Sequence, residues 1–174
     1  MSSRGEGRQM MRYVNLAGRL SFVFWVLLAA TQWMSAVPAA ALDREILVIR
    51  TATKSYPFNV EIADDENARA RGLMFRNDMA ANAGMLFIYP QDQAVTFWMR
   101  NTYLSLDMIF IAADGRITQI VKRAQPLSEA LIPSDSYIRA VLEVNAGITD
   151  QLGIHKGDQV DYKAFKSPAS ANSQ

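Results

Sequence analysis

The chain reads as a mostly β, α+β domain: a compact antiparallel sandwich or a small, partly open barrel with one or two short helices. Three observations predict this. Apolar residues recur with a period of two in several short runs, Gly, Pro and Asp-Gly pairs punctuate those runs, and no segment between them carries a long helical period.

Residues 44–50, around Ile46-Leu-Val-Ile49, form the first strand, rich in β-branched side chains. Phe58, Val60 and Ile62 alternate with Asn59 and Glu61, which predicts a half-buried second strand. A short helix follows, capped by Asp64, with Asp65 and Glu66 in its first turn, Arg69 and Arg71 in its last and Gly72 just beyond. Acid first, base last and glycine after satisfies the helix dipole and the free carbonyls. Met85 to Tyr89 is a strand stopped by Pro90, and Val95 to Met99 is another. Leu106 to Ala112 and Ile117 to Val121 flank Asp114-Gly115, a hairpin turn in which glycine supplies the positive φ. Tyr137 to Val144 is a strand ended by Asn145-Ala-Gly147. Thr149 to Leu152 forms one helical turn, and Gln159 to Tyr162 is the last strand. A parallel sheet is not expected, because no crossover contains a long helix.

The first 41 residues read as a signal peptide rather than as part of the fold. Arg4, Arg8, Arg12 and Arg19 make a basic start, Phe22 to Ala30 is apolar, and Ala36 to Ala41 is nearly all small residues. Basic, apolar, small is the order of a secretory leader, with cleavage expected after Ala41 or, alternatively, Ala40. The run from Leu20 to Met34 contains Ser21, Thr31 and Gln32 and falls short of the ~20 apolar residues a membrane span needs. The expected location is therefore the periplasm or the extracellular space, with membrane contact only through the leader before cleavage. Residues 42–166 make a single domain, and 167–174, small and polar, read as a disordered tail. After Ala41, fourteen basic and sixteen acidic residues remain, a net charge of −2 with His155 neutral. No basic nucleic-acid footprint survives removal of the leader.

The absence of cysteine excludes disulfides, thiol catalysis and thiolate metal sites. His155 is the only histidine, so a zinc site is not expected, and no Gly-x-Ser-x-Gly elbow supports a triad. Met74, Met79, Met85, Met99 and Met108 lie inside apolar motifs and read as core filling rather than as a copper site. No cofactor fingerprint is present.

Asp107 is the first candidate site residue. It shares a face with Ile109 and Ile111, while Leu106, Met108 and Phe110 take the other face, so an acidic group begins a central strand. Burial requires donors for it, and Arg100, Asn101 and Thr102 lie nearby in sequence. The carboxylate is either a polar site at a strand end or a cap on the turn at Tyr103 to Ser105. Trp98 and Arg100 point the same way. They form a stacking surface for a planar or sugar ligand, or a half-buried Trp with Arg100 over it. Glu143 shares a face with Tyr137, Arg139 and Val141. It either pairs with Arg139 on the surface or faces Asp107 across a cleft as acid and base. Arg71 and Arg76 flank Gly72-Leu-Met-Phe; they either hold an anionic ligand or pair with Asp107 or Glu143, and Arg71 also serves the helix C-terminus.

Gly72-Leu-Met, Gly84-Met-Leu-Phe87, Trp98-Met-Arg-Asn-Thr102, Leu106-Asp107, Asp114-Gly115 and Leu142-Glu-Val-Asn-Ala-Gly147 together resemble the family catalogued as domain of unknown function 192. The resemblance covers about residues 46–163 and implies a compact, mostly β domain with a little helix. Ser105 departs from the family's usual proline before Leu-Asp, which leaves the entry to that strand less stiff. The family brings its motif residues as candidates without roles. Three readings result. The first is an exported, non-enzymatic binding or accessory domain with a small polar pocket from Arg71, Arg76, Trp98, Arg100, Asn101, Asp107 and Glu143, taking a small molecule or carbohydrate. The second is a hydrolase or lyase using Asp107 and Glu143. The third is a protein-interaction module whose motifs are structural.

Overall fold

A computed structural model describes residues 42–165; residues 1–41, read above as a signal peptide, and residues 166–174, with the expected disordered tail, lie outside the described residues. Nine strands form: β1 (Arg44–Arg50), β2 (Ser55–Ala63), β3 (Ala83–Gln93), β4 (Thr96–Phe97), β5 (Leu106–Ile111), β6 (Ile117–Ala124), β7 (Ile132–Pro133), β8 (Ile138–Asn145) and β9 (Gln159–Asp161). Two short helices accompany them, α1 (Glu66–Arg71) and α2 (Ile148–Leu152).

Seven strands make one sheet in the order β6-β5-β8-β3-β2-β1-β9, and β4 pairs with β7 in a separate ribbon. The sheet curls until its edges meet at one end. Arg116 bridges Gln159, the N–H of Ile117 donates to the Asp158 carbonyl at 2.9 Å, and that of Val160 donates to the Gly115 carbonyl at 2.8 Å. The result is the partly open barrel. Leu47, Ile49, Phe58, Val60, Leu86, Ile109, Ile111, Leu142 and Val160 fill its interior. The alternation in β1, β2 and β8 sends these residues to one side, so burial of that side drives the curling.

The outer face of the middle strands is covered as well. Met85, Phe87, Met108, Phe110, Ile138 and Val141 pack beneath Leu73, Val95 and Met99, which come from the segments after α1 and around β4. All six residues of β5 are therefore buried, as its two apolar faces predict.

Four local expectations give way. One strand pair is parallel: β2 runs alongside β3, from Asn59 opposite Ala83 to Ala63 opposite Phe87. The six-residue helix α1 and the loop after it suffice for the crossover, so no long helix was needed. Pro90 does not stop β3, because the register shifts between Ile88 and Gln93 and the proline sits in that irregularity, where no ladder N–H is required. The run Val95 to Met99 yields only the two-residue β4. The cap of α1 is Asp65 rather than Asp64, its carboxylate accepting from the Ala68 N–H at 2.8 Å. Gly72 ends the helix at φ +49°, where a Cβ would lie 3.1 Å from the Phe87 ring, so this bend belongs to glycine. The Asp114-Gly115 turn forms as expected, with Asp114 accepting from the Arg116 N–H at 3.0 Å.

Candidate functional site

Asp107 and Glu143 sit on neighbouring strands but on opposite faces. Across the β5–β8 ladder Asp107 is opposite Val144, and Met108 is opposite Glu143. Val144 belongs to the barrel interior and Met108 to the outer layer, so Asp107 points inward and Glu143 outward. The structure does not bring the two carboxyl groups together across a cleft.

Asp107 is fully buried and saturated with donors. One oxygen accepts from the Arg123 N–H at 2.8 Å; the other accepts from the N–H groups of Gly147 and Thr149 at 3.0 and 3.1 Å and from the Thr149 hydroxyl at 2.6 Å. The donors are not Arg100, Asn101 or Thr102, and the turn at Tyr103 to Ser105 is not what it caps. A register irregularity in β6 places Lys122 and Arg123 opposite Asp107 alone. Arg123, at φ +51°, turns its N–H toward the carboxylate. Asp107 thereby ties β6 to the first turn of α2.

Glu143 is only 4% exposed, and no donor among the described residues bonds its carboxyl. Arg139 turns instead to Asp92, at 2.7 Å. Burial alone pushes the Glu143 carboxyl up to about 8, so it is held largely protonated near neutral pH. It opens onto a cavity of about 410 Å³ bounded by α1, Leu73 and Met74, the β3 residues Phe87 and Tyr89, and the segment Thr96 to Thr102. Phe87 and Phe97 meet edge to face, ring centres 5.2 Å apart, and form an aromatic wall.

The remaining candidates divide. Arg71, Trp98 and Arg100 line the cavity. Trp98 is 43% exposed, and the Arg100 guanidinium lies 4.2 Å from its ring centre, so the pair forms an exposed stack rather than a core contact. Arg76 leaves the site: its guanidinium forks onto both oxygens of Glu61, at 2.8 and 2.6 Å, and Arg44 adds a third bond at 2.9 Å. The Arg76 fork holds the Glu61 carboxyl below its usual range. Asn101 also stands apart. It adopts φ +58°, and its carbonyl accepts from the Phe75 N–H at 2.8 Å, so it shapes the loop.

Sequence reasoning missed Arg69, Tyr89 and Phe97 as lining residues and Glu61 as a buried acid. Arg69 was legible only as a helix-end base; its guanidinium donates to the Ile88 carbonyl at 2.9 Å and lies 5.4 Å from the Tyr89 ring centre. Glu61 occupies the polar phase of an alternating strand, and nothing local announces that a later loop covers it. Among the described residues, no group of three His, Asp or Glu side chains could hold a metal ion. A second cavity, of about 560 Å³, adjoins Leu42, Asp43 and Glu45 where the described residues begin; there Glu45 is paired with Lys163 at 2.6 Å.

The model of the DUF192 family, described as "Uncharacterized ACR", matches residues 47–162. Two solved structures are similar. One is a proposed transcription regulator from Sinorhizobium meliloti 1021, 41% identical, with a TM-score of 0.71 over 73% of this chain and 99% of that one. The other is a protein of unknown function from Novosphingobium aromaticivorans DSM 12444, 35% identical, with a TM-score of 0.69 over 72% of this chain and 89% of that one. No curated protein matches. The chain belongs to the DUF192 family.

Proposed function

We propose that this DUF192 protein is an exported, non-enzymatic binding or accessory domain of the cell envelope, and that its ligand occupies the cavity above Glu143. The observation that carries the reading is the Glu143 carboxyl itself, buried, without a donor among the described residues and open to an aromatic-walled cavity. A group held so costs stability, which makes sense where a ligand supplies the missing partner. The basic, apolar, small order of residues 1–41 supports export. The hydrolase reading loses its acid–base pair, because Asp107 faces the barrel interior and is already saturated. The net charge of −2 over residues 42–174 offers no support for carrying over the role in transcription proposed for the Sinorhizobium protein.

One observation favours a second reading, a protein-contact surface. Phe75, Tyr103 and Leu127 are 58%, 48% and 57% exposed, and Phe75 and Leu127 are held at φ +64° and +61°, costly for bulky residues. The test of the first reading is twofold. Mass spectrometry of the protein recovered from the periplasm should give an N-terminus at Leu42 or Ala41, and uncleaved protein in the cytoplasm would end the export reading. A small-molecule screen read by Trp98 fluorescence should find binders of residues 42–174 that bind at least tenfold more weakly to Glu143→Leu. Binders indifferent to that change would place the ligand elsewhere.

A further inference from the structure

Nine arginines lie between residues 42 and 165. Six of them, Arg44, Arg50, Arg76, Arg116, Arg123 and Arg139, are ion-paired with carboxylates. The three with no carboxylate partner among the described residues are Arg69, Arg71 and Arg100, and all three line the Glu143 cavity. Their environments leave the charge intact. Arg69 is held by the carbonyls of Ile88 and Asp64, and Arg100 by the face of Trp98. A guanidinium fixed by neutral groups keeps N–H donors and a full positive charge for a ligand. Glu66, on the exposed first turn of α1, is the lining residue that opposes them. Glu143, held largely protonated, faces the same cavity and offers both a donor and an acceptor, and Phe87, Phe97 and Leu73 supply apolar walls.

We infer that the ligand is a small anion with a flat apolar body, its charged group held by Arg69, Arg71 and Arg100 and a second polar group hydrogen-bonded to Glu143. The inference rests on the reading of this cavity as a binding site and adds the ligand's chemical class. About 410 Å³ accommodates a molecule of one ring with substituents, at the small end of ligand pockets. A neutral isostere loses the arginines; an anion without a second polar group leaves Glu143 unserved.

The test uses residues 42–174, in which Trp98 is the sole tryptophan and a direct reporter. A relative 41% identical has 99% of its chain matched by 73% of this one, and residues 41–174 form a compact unit by themselves, which supports using the domain without residues 1–41. The probe is 4-hydroxybenzoate, with 4-hydroxybenzamide as its uncharged counterpart, titrated by Trp98 fluorescence and by calorimetry. The expected result is saturable binding of 4-hydroxybenzoate, at least tenfold weaker binding of the amide, and at least tenfold loss in Arg69→Gln and in Arg100→Gln. Arg100→Lys, which keeps the charge but loses the planar fork, should fall between. Equal binding of acid and amide, both weakened by Glu143→Leu, would overturn the anionic class and leave the cavity as a binding site. Binding of the acid that is indifferent to both arginine variants places the anion elsewhere and overturns the inference. No saturable binding of either probe overturns the inference, while the binding-site reading is decided separately by the small-molecule screen against Glu143→Leu. Thermal unfolding of each variant, unchanged within a few degrees, assigns the losses to the site rather than to the fold.

Discussion

Asp107 and Glu143 occupy adjacent rungs of one ladder and are buried to nearly the same degree, yet they are opposites. Asp107 accepts four hydrogen bonds, three of them from backbone N–H groups. Glu143 accepts none among the described residues, and its surroundings favour the neutral form. The difference arises from what lies beyond each face of the sheet. Inward, a β6 irregularity and the start of α2 converge with backbone donors that would otherwise be unsatisfied. Outward, the side chains nearest Glu143 belong to an apolar layer, and the polar groups of the loops line a cavity above it. Burial alone therefore says little about a carboxyl's role; the supply of donors decides it.

The largest effect should come from breaking the satisfied member. Asp107→Ala leaves three backbone N–H groups and the buried Thr149 hydroxyl without their acceptor and should cost about 3–5 kcal/mol in urea unfolding. A loss under about 1 kcal/mol would show that these donors find other partners.

The next effect is a pH dependence carried by Glu143. Its folded-state value, about 8, lies above the ordinary 4.5, so between those values the folded protein binds more protons than the unfolded chain. Stability from this group is present in full below about 4.5 and is lost as pH rises toward 8. The slope should approach ~1.4 kcal/mol per pH unit and should vanish in Glu143→Gln. Equal slopes in parent and variant would mean that the carboxyl is ionised and served by donors after all.

The smallest effect belongs to a third buried carboxylate, Glu61, which has the opposite sign. Its value is lowered by the Arg76 fork, so its contribution is present above 4.5 and lost as pH falls through the lowered value. Arg76→Ala should cost about 1 kcal/mol near neutral pH, because Arg76 is itself one-third exposed and Arg44 remains. Unfolding midpoints that draw together as pH falls below 4.5 and separate toward pH 7 would confirm the sign; a difference that grows toward acid would refute it.

Much of the architecture was legible because strand periodicity is a local property. Arg44 to Arg50 is found where it was expected, and the two-faced apolar pattern of Leu106 to Ile111 identified the central strand. Alternation also placed Asp107 with Ile109 and Ile111, and Trp98 with Arg100, on shared sides. What alternation could not supply was the identity of each side. The face carrying Glu61 and Glu143 looked polar and solvent-facing in β2 and β8, yet loops more than ten residues away in sequence cover it. For the same reason Arg76, a good anion candidate beside Gly72, was committed to Glu61, while Arg69, which looked like a helix-end residue, was left facing the cavity.

The sequence by itself determined the family, the few residue types from which any site must be built, and the order of the longer strands and short helices, though not the two-residue β7. Only the tertiary structure decided which carboxyl is satisfied, which arginines are paired and where the cavity lies. Those outcomes depend on contacts between segments distant along the chain. A period of two sorts side chains into two faces, but only packing reveals what each face meets.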